Sequence, residues 1–142
     1  MEILRSRMLN FIQLQEFSNY RGKLVHFNVK DDNLPFEIKR IYHISQVPKG
    51  ESRGMHGHLE LEQVIFAISG SFKLDLWHGS NEFHFILDNP SIGVHVPKKS
   101  WRELSNFSDN AVCLVLASDV YNPRDYFYDK NQFIEIVNSL KC

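Results

Sequence analysis

From Gln63 to Leu87 the chain is written in short apolar stretches separated by turn residues, and that punctuation limits what it can fold into. Gln63–Ser69 is one continuous apolar run, Gly70 breaks it, and Phe72, Leu74 and Leu76 then alternate with Lys73, Asp75 and Trp77. His78-Gly79-Ser80-Asn81 turns the chain into a second alternation, Phe83, Phe85 and Leu87 against Glu82, His84 and Ile86. Successive side chains of a strand point to opposite faces, so the pattern predicts a hairpin that follows a strand buried on both sides. After the turn Asp88-Asn89-Pro90-Ser91, Ile92–Val96 and Val112–Ala117 read as two more strands. Upstream, Leu24–Val29 is short and extended, and a further strand places Ile38, Arg40, Tyr42 and Ile44 on one face. Only the tail has helical spacing, at Phe133, Ile136, Val137 and Leu140, with Asp129 or Asn131 as its cap. Many short strands joined by polar turns predict an all-β sandwich or barrel with a short C-terminal helix.

Its 142 residues suit a single domain, 1–142, with a real core, and 11 phenylalanines disfavour disorder. The net charge of −1 excludes the basic face that a nucleic-acid partner needs. The longest apolar run, Ala111–Ala117, is too short to span a bilayer, so no membrane role is expected. No basic segment followed by an apolar core and a small-residue cleavage site opens the sequence, so a secretory leader is not expected. Cys113 sits inside an apolar run and Cys142 is the last residue, so no disulfide framework is expected and a reducing cytoplasm fits.

The chemistry concentrates around two histidines. Gly50 is followed after five residues by His56-Gly57-His58, then after four by Gln63 and after six by Gly70. This spacing resembles the first motif of metal-binding cupins, which implies a cupin-type β-barrel, or jelly roll. Two ligands of that motif are missing. Gln63 stands where the motif has a carboxylate, and after Pro97-Lys98-Lys99-Ser100 the place of a third histidine holds Trp101 or Arg102. Two imidazoles alone are a poor seat for a divalent ion but a good acid–base pair in a dry barrel mouth, so no metal or other cofactor is expected. Residues two apart on a strand share a face, so His56 and His58 are expected to point inward together.

Other residues carry weaker signals. Arg40, on an apolar face, needs an anion or a carboxylate such as Asp75 or Glu62. Tyr42 shares its face and reads either as core or as a proton donor. Arg53-Gly54 suggests a close approach to a ligand. Trp101 and Arg102 follow the Pro97 turn at the expected lip, where a sugar and its phosphates would find an aromatic face and a cation. His95 is expected to point inward, whereas His26, His43, His78 and His84 read as surface or turn residues.

Taken together, several segments resemble the nucleotide-sugar 3,4-ketoisomerases, the WxcM-like, metal-independent cupins that act on dTDP-4-keto-6-deoxyglucose. They are Arg21-Gly22-Lys23-Leu24, Leu34–Tyr42, Arg53–His58, Glu62-Gln63-Val64, Gly70–Lys73, Trp101-Arg102-Glu103, Asn106-Phe107-Ser108 and Val115–Ser118, continuing through Tyr121 to Asp125-Tyr126. The chain departs from the common pattern at Gly57, where Ala or Ser is usual, at Leu59, where Lys is usual, and at the Trp77-His78-Gly79 turn. The resemblance implies His56 as the base, Tyr42 as proton donor or relay, and His58 as its tuning partner. It implies Arg21, Arg40, Arg53, Gln63, Trp101 and Arg102 around the substrate. It also implies a dTDP-linked 4-keto-6-deoxyhexose as substrate and a homodimer with exchanged N-terminal strands. The product would serve 3-amino-3,6-dideoxyhexose biosynthesis for surface polysaccharide, with its C4 configuration, galacto or gluco, left open. A sugar-nucleotide-binding module without turnover and a deoxysugar epimerase are the alternatives.

Overall fold

The structure, a computed structural model, describes residues 11–30 and 34–141. Eleven strands carry the fold: β1 (Phe11–Gln13), β2 (Gln15–Asn19), β3 (Gly22–His26), β4 (Arg40–Ser45), β5 (Arg53–His58), β6 (Gln63–Ser69), β7 (Phe72–His78), β8 (Asn81–Leu87), β9 (Ile92–Val96), β10 (Ser100–Ser105) and β11 (Val112–Ala117). Among the described residues, a 3₁₀ turn, Pro123–Asp125, and one helix, α1 (Lys130–Ser139), follow the strands. Helix α1 starts at Asp129, whose carboxylate accepts from the Gln132 backbone N–H at 3.0 Å, the capping geometry expected for an acidic N-cap.

The strands form a five-stranded sheet, β1-β9-β6-β11-β4, a four-stranded sheet, β5-β10-β7-β8, and a separate two-stranded ribbon, β2-β3. The two larger sheets are open and face one another as a jelly roll. Alternation decides which residues fill the space between them. Ile65 and Ala67, Phe72, Leu74 and Leu76, Val94 and Val96, Leu104, and Cys113 and Val115 point inward and form the main core. The residues between them point out. Val64, Phe66 and Leu116 pack under Ile12, Leu14, Phe27, Leu34, Phe36 and Ile38. Trp77 and Trp101 pack under Phe133 and Val137 of α1. Among the described residues, no helix is long and apolar enough to cross a membrane.

The expected strands from β6 to β9, and β11, fall where the alternation placed them, and the β7–β8 turn has positive φ at both Gly79 and Ser80, as a tight hairpin turn of this hand requires. Three expectations change. Ile38 does not share the face of Tyr42 and Ile44: it precedes β4 and packs against the outer cluster. His95 points outward, because its neighbours Val94 and Val96 take the inward positions, and its Nε2 lies 3.0 Å from Glu62 Oε1. The stretch expected as Leu24–Val29 is strand only from Gly22 to His26.

Gly57, one of the departures from the family pattern, has a packing reason. It faces outward on β5, and its N–H and C=O bond to Phe127 at 2.8 and 3.1 Å. A Cβ there would meet the Phe133 ring at 2.6 Å. Gly57→Ala is therefore expected to destabilise the fold by about 1–3 kcal/mol, the usual cost of overpacking. Thermal denaturation checks this, and Phe133→Leu in the same chain should recover part of the loss. An unchanged midpoint would show that α1 does not lean on β5.

Candidate active site

The site is built at the end of the sandwich where β4, β5, β6 and β10 bring inward-facing polar side chains together. Strand β5 contributes His56 and His58. Across the ladder His56 stands opposite Arg102 of β10, and His58 opposite Ser100. From the facing sheet come Arg40 and Tyr42 of β4 and Gln63 of β6; Arg40 and Gln63 both stand opposite Ala117, the small residue between them. A cavity of about 450 Å³ opens here, lined by Arg40, Tyr42, Arg53, His56, Arg102 and Tyr126 with their neighbours. A second cleft of about 590 Å³ adjoins it, sharing Arg40 and Tyr126 and adding His58.

A β-bulge shapes the wall of this cavity. Arg102 pairs with His56 and Glu103 with Gly54, so Met55 has no partner, and both Gly54 and Met55 have positive φ. Arg53 and His56 are an odd number of positions apart, which in a regular strand puts them on opposite faces. The extra residue reverses the alternation, and Arg53 joins His56 at the cavity.

Both imidazoles are held the same way. His56 Nδ1 lies 2.9 Å from the Gly54 carbonyl and His58 Nδ1 lies 2.7 Å from the Asp125 carbonyl. A carbonyl only accepts, so each Nδ1 carries the proton and each Nε2 is left as a bare acceptor. Both Nε2 atoms are buried and have no partner among the described residues. Burial, and then the Arg102 charge, lower the His56 pKa to about 4 and the His58 pKa to about 2. Both rings are therefore neutral and able to take a proton at physiological pH.

Arg102 is the largest fully buried side chain in the molecule's described core, 2% exposed. Its Nη1 donates to Gln63 Oε1 and its Nη2 donates to the Ser100 carbonyl at 3.0 Å, while Nε has no partner among the described residues. Burial lowers its pKa to about 10, which leaves it cationic at neutral pH. Gln63 Nε2 in turn donates to the Tyr42 hydroxyl at 2.9 Å. Burial raises the Tyr42 pKa, which keeps the phenol protonated. The Arg40 guanidinium lies over the Tyr42 ring at 5.1 Å, and its Nε and Nη2 are buried without partners. The carboxylates suggested for it are engaged elsewhere: Asp75 with His84 and Lys73, and Glu62 with His95.

The structure thus gathers His56, Tyr42, Arg40, Arg53 and Arg102 around one cavity, with His58 on the adjoining cleft. It sets three expected contacts aside. Trp101 follows the alternation of β10 to the opposite face, where its ring lies 6.0 Å from that of Phe133 and its indole N–H donates to Glu103. Gln63 lies behind the wall, with its amide oxygen and nitrogen engaged by Arg102 and Tyr42. Arg21 sits at the exposed β2–β3 turn, donating to the Tyr20 hydroxyl at 3.1 Å, and does not line the cavity.

Two residues to which no role was assigned complete the site. The Asp125 carboxylate accepts from the backbone N–H groups of Leu59, Glu60 and Leu61 at 2.9–3.3 Å. That fixes its carbonyl against His58 and seats Tyr126, whose ring lies 5.0 Å from His56 and 4.4 Å from His58. Both lie more than sixty positions from the histidines, so no local pattern links them; the only signal was their place in the Asp125-Tyr126 segment of the resemblance.

Among the described residues, no group of three or more His, Cys, Asp or Glu side chains is arranged to hold a metal ion. The two imidazoles instead face a guanidinium, whose charge opposes a second cation beside them. The fold and these groups define a jelly-roll protein with a neutral imidazole, a protonated phenol and a buried cation in one cavity, a set of groups suited to proton transfer. Comparison with known proteins gives the family. The FdtA family profile (WxcM-like, C-terminal) matches residues 7–138, and the chain belongs to that family. It is 35% identical over 130 residues to a TDP-4-oxo-6-deoxy-α-D-glucose-3,4-oxoisomerase from Aneurinibacillus thermoaerophilus, covering 92% of this chain and 91% of the other. A 3,4-ketoisomerase from Helicobacter canadensis superposes with a TM-score of 0.84 at 41% identity, over 92% of this chain and 97% of that one. A variant of the Thermoanaerobacterium thermosaccharolyticum 3,4-ketoisomerase, solved with TDP-4-keto-6-deoxyglucose, superposes at 0.88 with 31% identity, over 95% and 97% of the two chains. A dTDP-4-dehydrorhamnose 3,5-epimerase from Bacillus anthracis, at 14% identity and 0.72, shares the fold alone. The class of activity that follows for this chain is isomerase.

The depressed histidine pKa values have a consequence for stability. Unfolded histidines bind protons near pH 6.5, whereas His56 resists protonation down to about 4 in the fold. Between those values the unfolded state binds more protons, so stability rises with pH through this window and falls as pH drops through it. Denaturant midpoints measured from pH 4 to 7, compared with those of His56→Ala, should show that slope reduced in the variant. Equal slopes would mean that His56 titrates normally.

Proposed function

We propose that the protein converts dTDP-4-keto-6-deoxyglucose to its 3-keto isomer by proton transfer alone. The observation that carries this is the pair of bare, buried imidazole Nε2 atoms set beside a protonated phenol and a buried guanidinium where two clefts adjoin. The C3 hydrogen of a 4-keto sugar is acidified by the adjacent carbonyl. His56 Nε2 takes that proton, leaving an enediolate across C3 and C4. O4 then takes a proton, O3 gives one up and C4 is protonated, so the carbonyl has moved by one carbon with no net gain or loss of protons and no net oxidation.

Each other group has a part in this reading. Tyr42 is the proton donor or relay at the sugar oxygens. His58 shares the proton traffic through its own free Nε2. Arg102 holds positive charge where the enediolate develops, a kind of stabilisation that is strongest in a site shielded from water. The unpartnered Arg40 donors and the Arg53 guanidinium suit the oxygens of the sugar and its diphosphate. A pKa of about 4 makes free His56 a weak base, but the imidazolium it forms lies beside a new enediolate, which favours the charged form. An epimerase of the same fold is the weaker reading, because at the identities above the likeness extends to architecture only.

Incubating the protein with dTDP-4-keto-6-deoxyglucose and following the product by NMR tests the assignment, which includes activity in the presence of a chelator. His56→Ala should lose about 10²–10⁴-fold in kcat with nucleotide binding retained, and Tyr42→Phe somewhat less. Near-normal turnover in the histidine variant would place the base elsewhere, and a metal requirement would remove the proton-only mechanism.

The assembly belongs to the same proposal. The β2–β3 ribbon pairs only with itself among the described strands, and it exposes Phe17 (55%) and Leu24 (58%). Edges and apolar faces of that kind invite pairing, which supports a homodimer with exchanged N-terminal strands. Exchange is also what would bring Arg21 to a cavity, that of the partner. Light scattering at micromolar concentration should give about twice the 16.7 kDa of one chain, and Leu24→Asp should shift it toward the monomer. A wild-type monomer would remove the basis for exchange. The product fits cytoplasmic sugar-nucleotide metabolism, feeding an aminotransferase on the way to a 3-amino-3,6-dideoxyhexose.

A further inference from the structure

We infer that Gln63 is a positioning residue that turns the Tyr42 hydroxyl proton into the cavity. The argument rests on hydrogen-bond direction and on the acid role given to Tyr42 above. A guanidinium has donors and no acceptor. Arg102 Nη1 donates to the Gln63 side chain, so the amide group facing Arg102 is its oxygen. The other end of the amide is then the nitrogen, which only donates, and it lies 2.9 Å from the Tyr42 oxygen. The amide orientation is thus dictated by Arg102. Arg102 itself cannot swing away, since its Nη2 is tied to the Ser100 carbonyl at 3.0 Å and the side chain is buried.

One lone pair of the Tyr42 oxygen is therefore occupied by Gln63, and the phenol proton cannot point at an amide N–H. The remaining directions open on the cavity that Tyr42 lines. The same bond makes the phenolate easier to reach, opposing the effect of burial, so Gln63 both aims the proton and eases its release. A glutamate at this position, which the metal-binding motif would have, does the reverse. A carboxylate accepts from both neighbours, draws the Tyr42 proton back into the wall, and cancels the Arg102 charge.

The test compares Gln63→Glu and Gln63→Met, each assayed with chelator present so that a carboxylate beside two imidazoles cannot recruit a metal. Tyrosine labelled with ¹³C at Cζ reports the Tyr42 titration, its signal identified by loss in Tyr42→Phe. Both variants should raise the Tyr42 pKa, and the neutral methionine separates the lost hydrogen bond from the added charge. Gln63→Glu should lower kcat by about 10²-fold or more, the scale of one acid–base contribution, with KM within about threefold. Gln63→Met, in which the hydroxyl can rotate freely, should lose less. An unchanged Tyr42 pKa in Gln63→Met would overturn the inference, as would a Gln63→Glu variant of normal kcat or one whose loss lies entirely in KM. If Gln63→Glu does not fold, the methionine variant alone decides. The titration needs no substrate, so a wild-type protein that failed to isomerise the sugar would sink the proposed function while this result still stood or fell by itself.

Discussion

The buried guanidinium of Arg102 is the constraint around which this end of the molecule is arranged. Taking such an ion out of water costs several kcal/mol even after relaxation, and here no carboxylate pairs with it at hydrogen-bond distance. Its described partners are the neutral oxygens of Gln63 and Ser100. The sandwich tolerates this because the main core of Leu74, Leu76, Val94, Val96 and Val115 lies just below and holds the sheets together. The charge then acts on everything near it. It helps keep both histidines neutral, it fixes the Gln63 amide, and it leaves the cavity short of one negative charge. A ligand that develops an anion supplies what the resting protein lacks.

Asp125 does a comparable job with backbone alone. Three successive N–H groups after β5 converge on one carboxylate, an arrangement that suits an anion. The clamp joins segments far apart in sequence and sets the His58 tautomer through a main-chain carbonyl, which cannot be changed by substitution at that residue. Tyr126 follows in the chain and lines the cavity against both imidazoles, so one carboxylate serves the tautomer and the wall together.

Most of the fold was legible because it depends on local alternation. Phe72–Leu76 and Phe83–Leu87 announce their hairpin, and Asp129 its helix, by rules that operate within a few residues. Legibility failed where alternation was interrupted or where a strand carried no clear period. The Met55 bulge moved Arg53 onto the face of His56, and the irregular entry to β4 separated Ile38 from Tyr42. Strand β10, reading Ser-Trp-Arg-Glu-Leu-Ser, hid its period because the inward residue is an arginine and the outward one a tryptophan. Trp101 was expected beside the substrate from its place after the Pro97 turn and from the resemblance, neither of which tells the two faces of the strand apart. At the site, the histidine pair and Tyr42 were readable from motif and face. The Arg102–Gln63–Tyr42 chain was not, because hydrogen-bond direction exists only once three strands are assembled.

That chain also explains why Gln63 and Arg102 make sense only together. With glutamate beside it, the arginine would be half of a neutral ion pair, comfortable in the wall and of little electrostatic use to a substrate. With glutamine beside it, the arginine keeps its charge while both of its Nη groups remain satisfied. The amide, forced to face it with oxygen, passes a donor on to Tyr42, so an amide in place of the motif's carboxylate preserves a cation and, in the reading proposed above, aims a proton. A coordination site stabilises an enediolate by direct ligation and is lost with its ion. A buried guanidinium does so by field and by its free Nε donor, and it cannot dissociate. The same scaffold thereby exchanges strength of contact for permanence, a trade that suits a reaction in which only protons have to move.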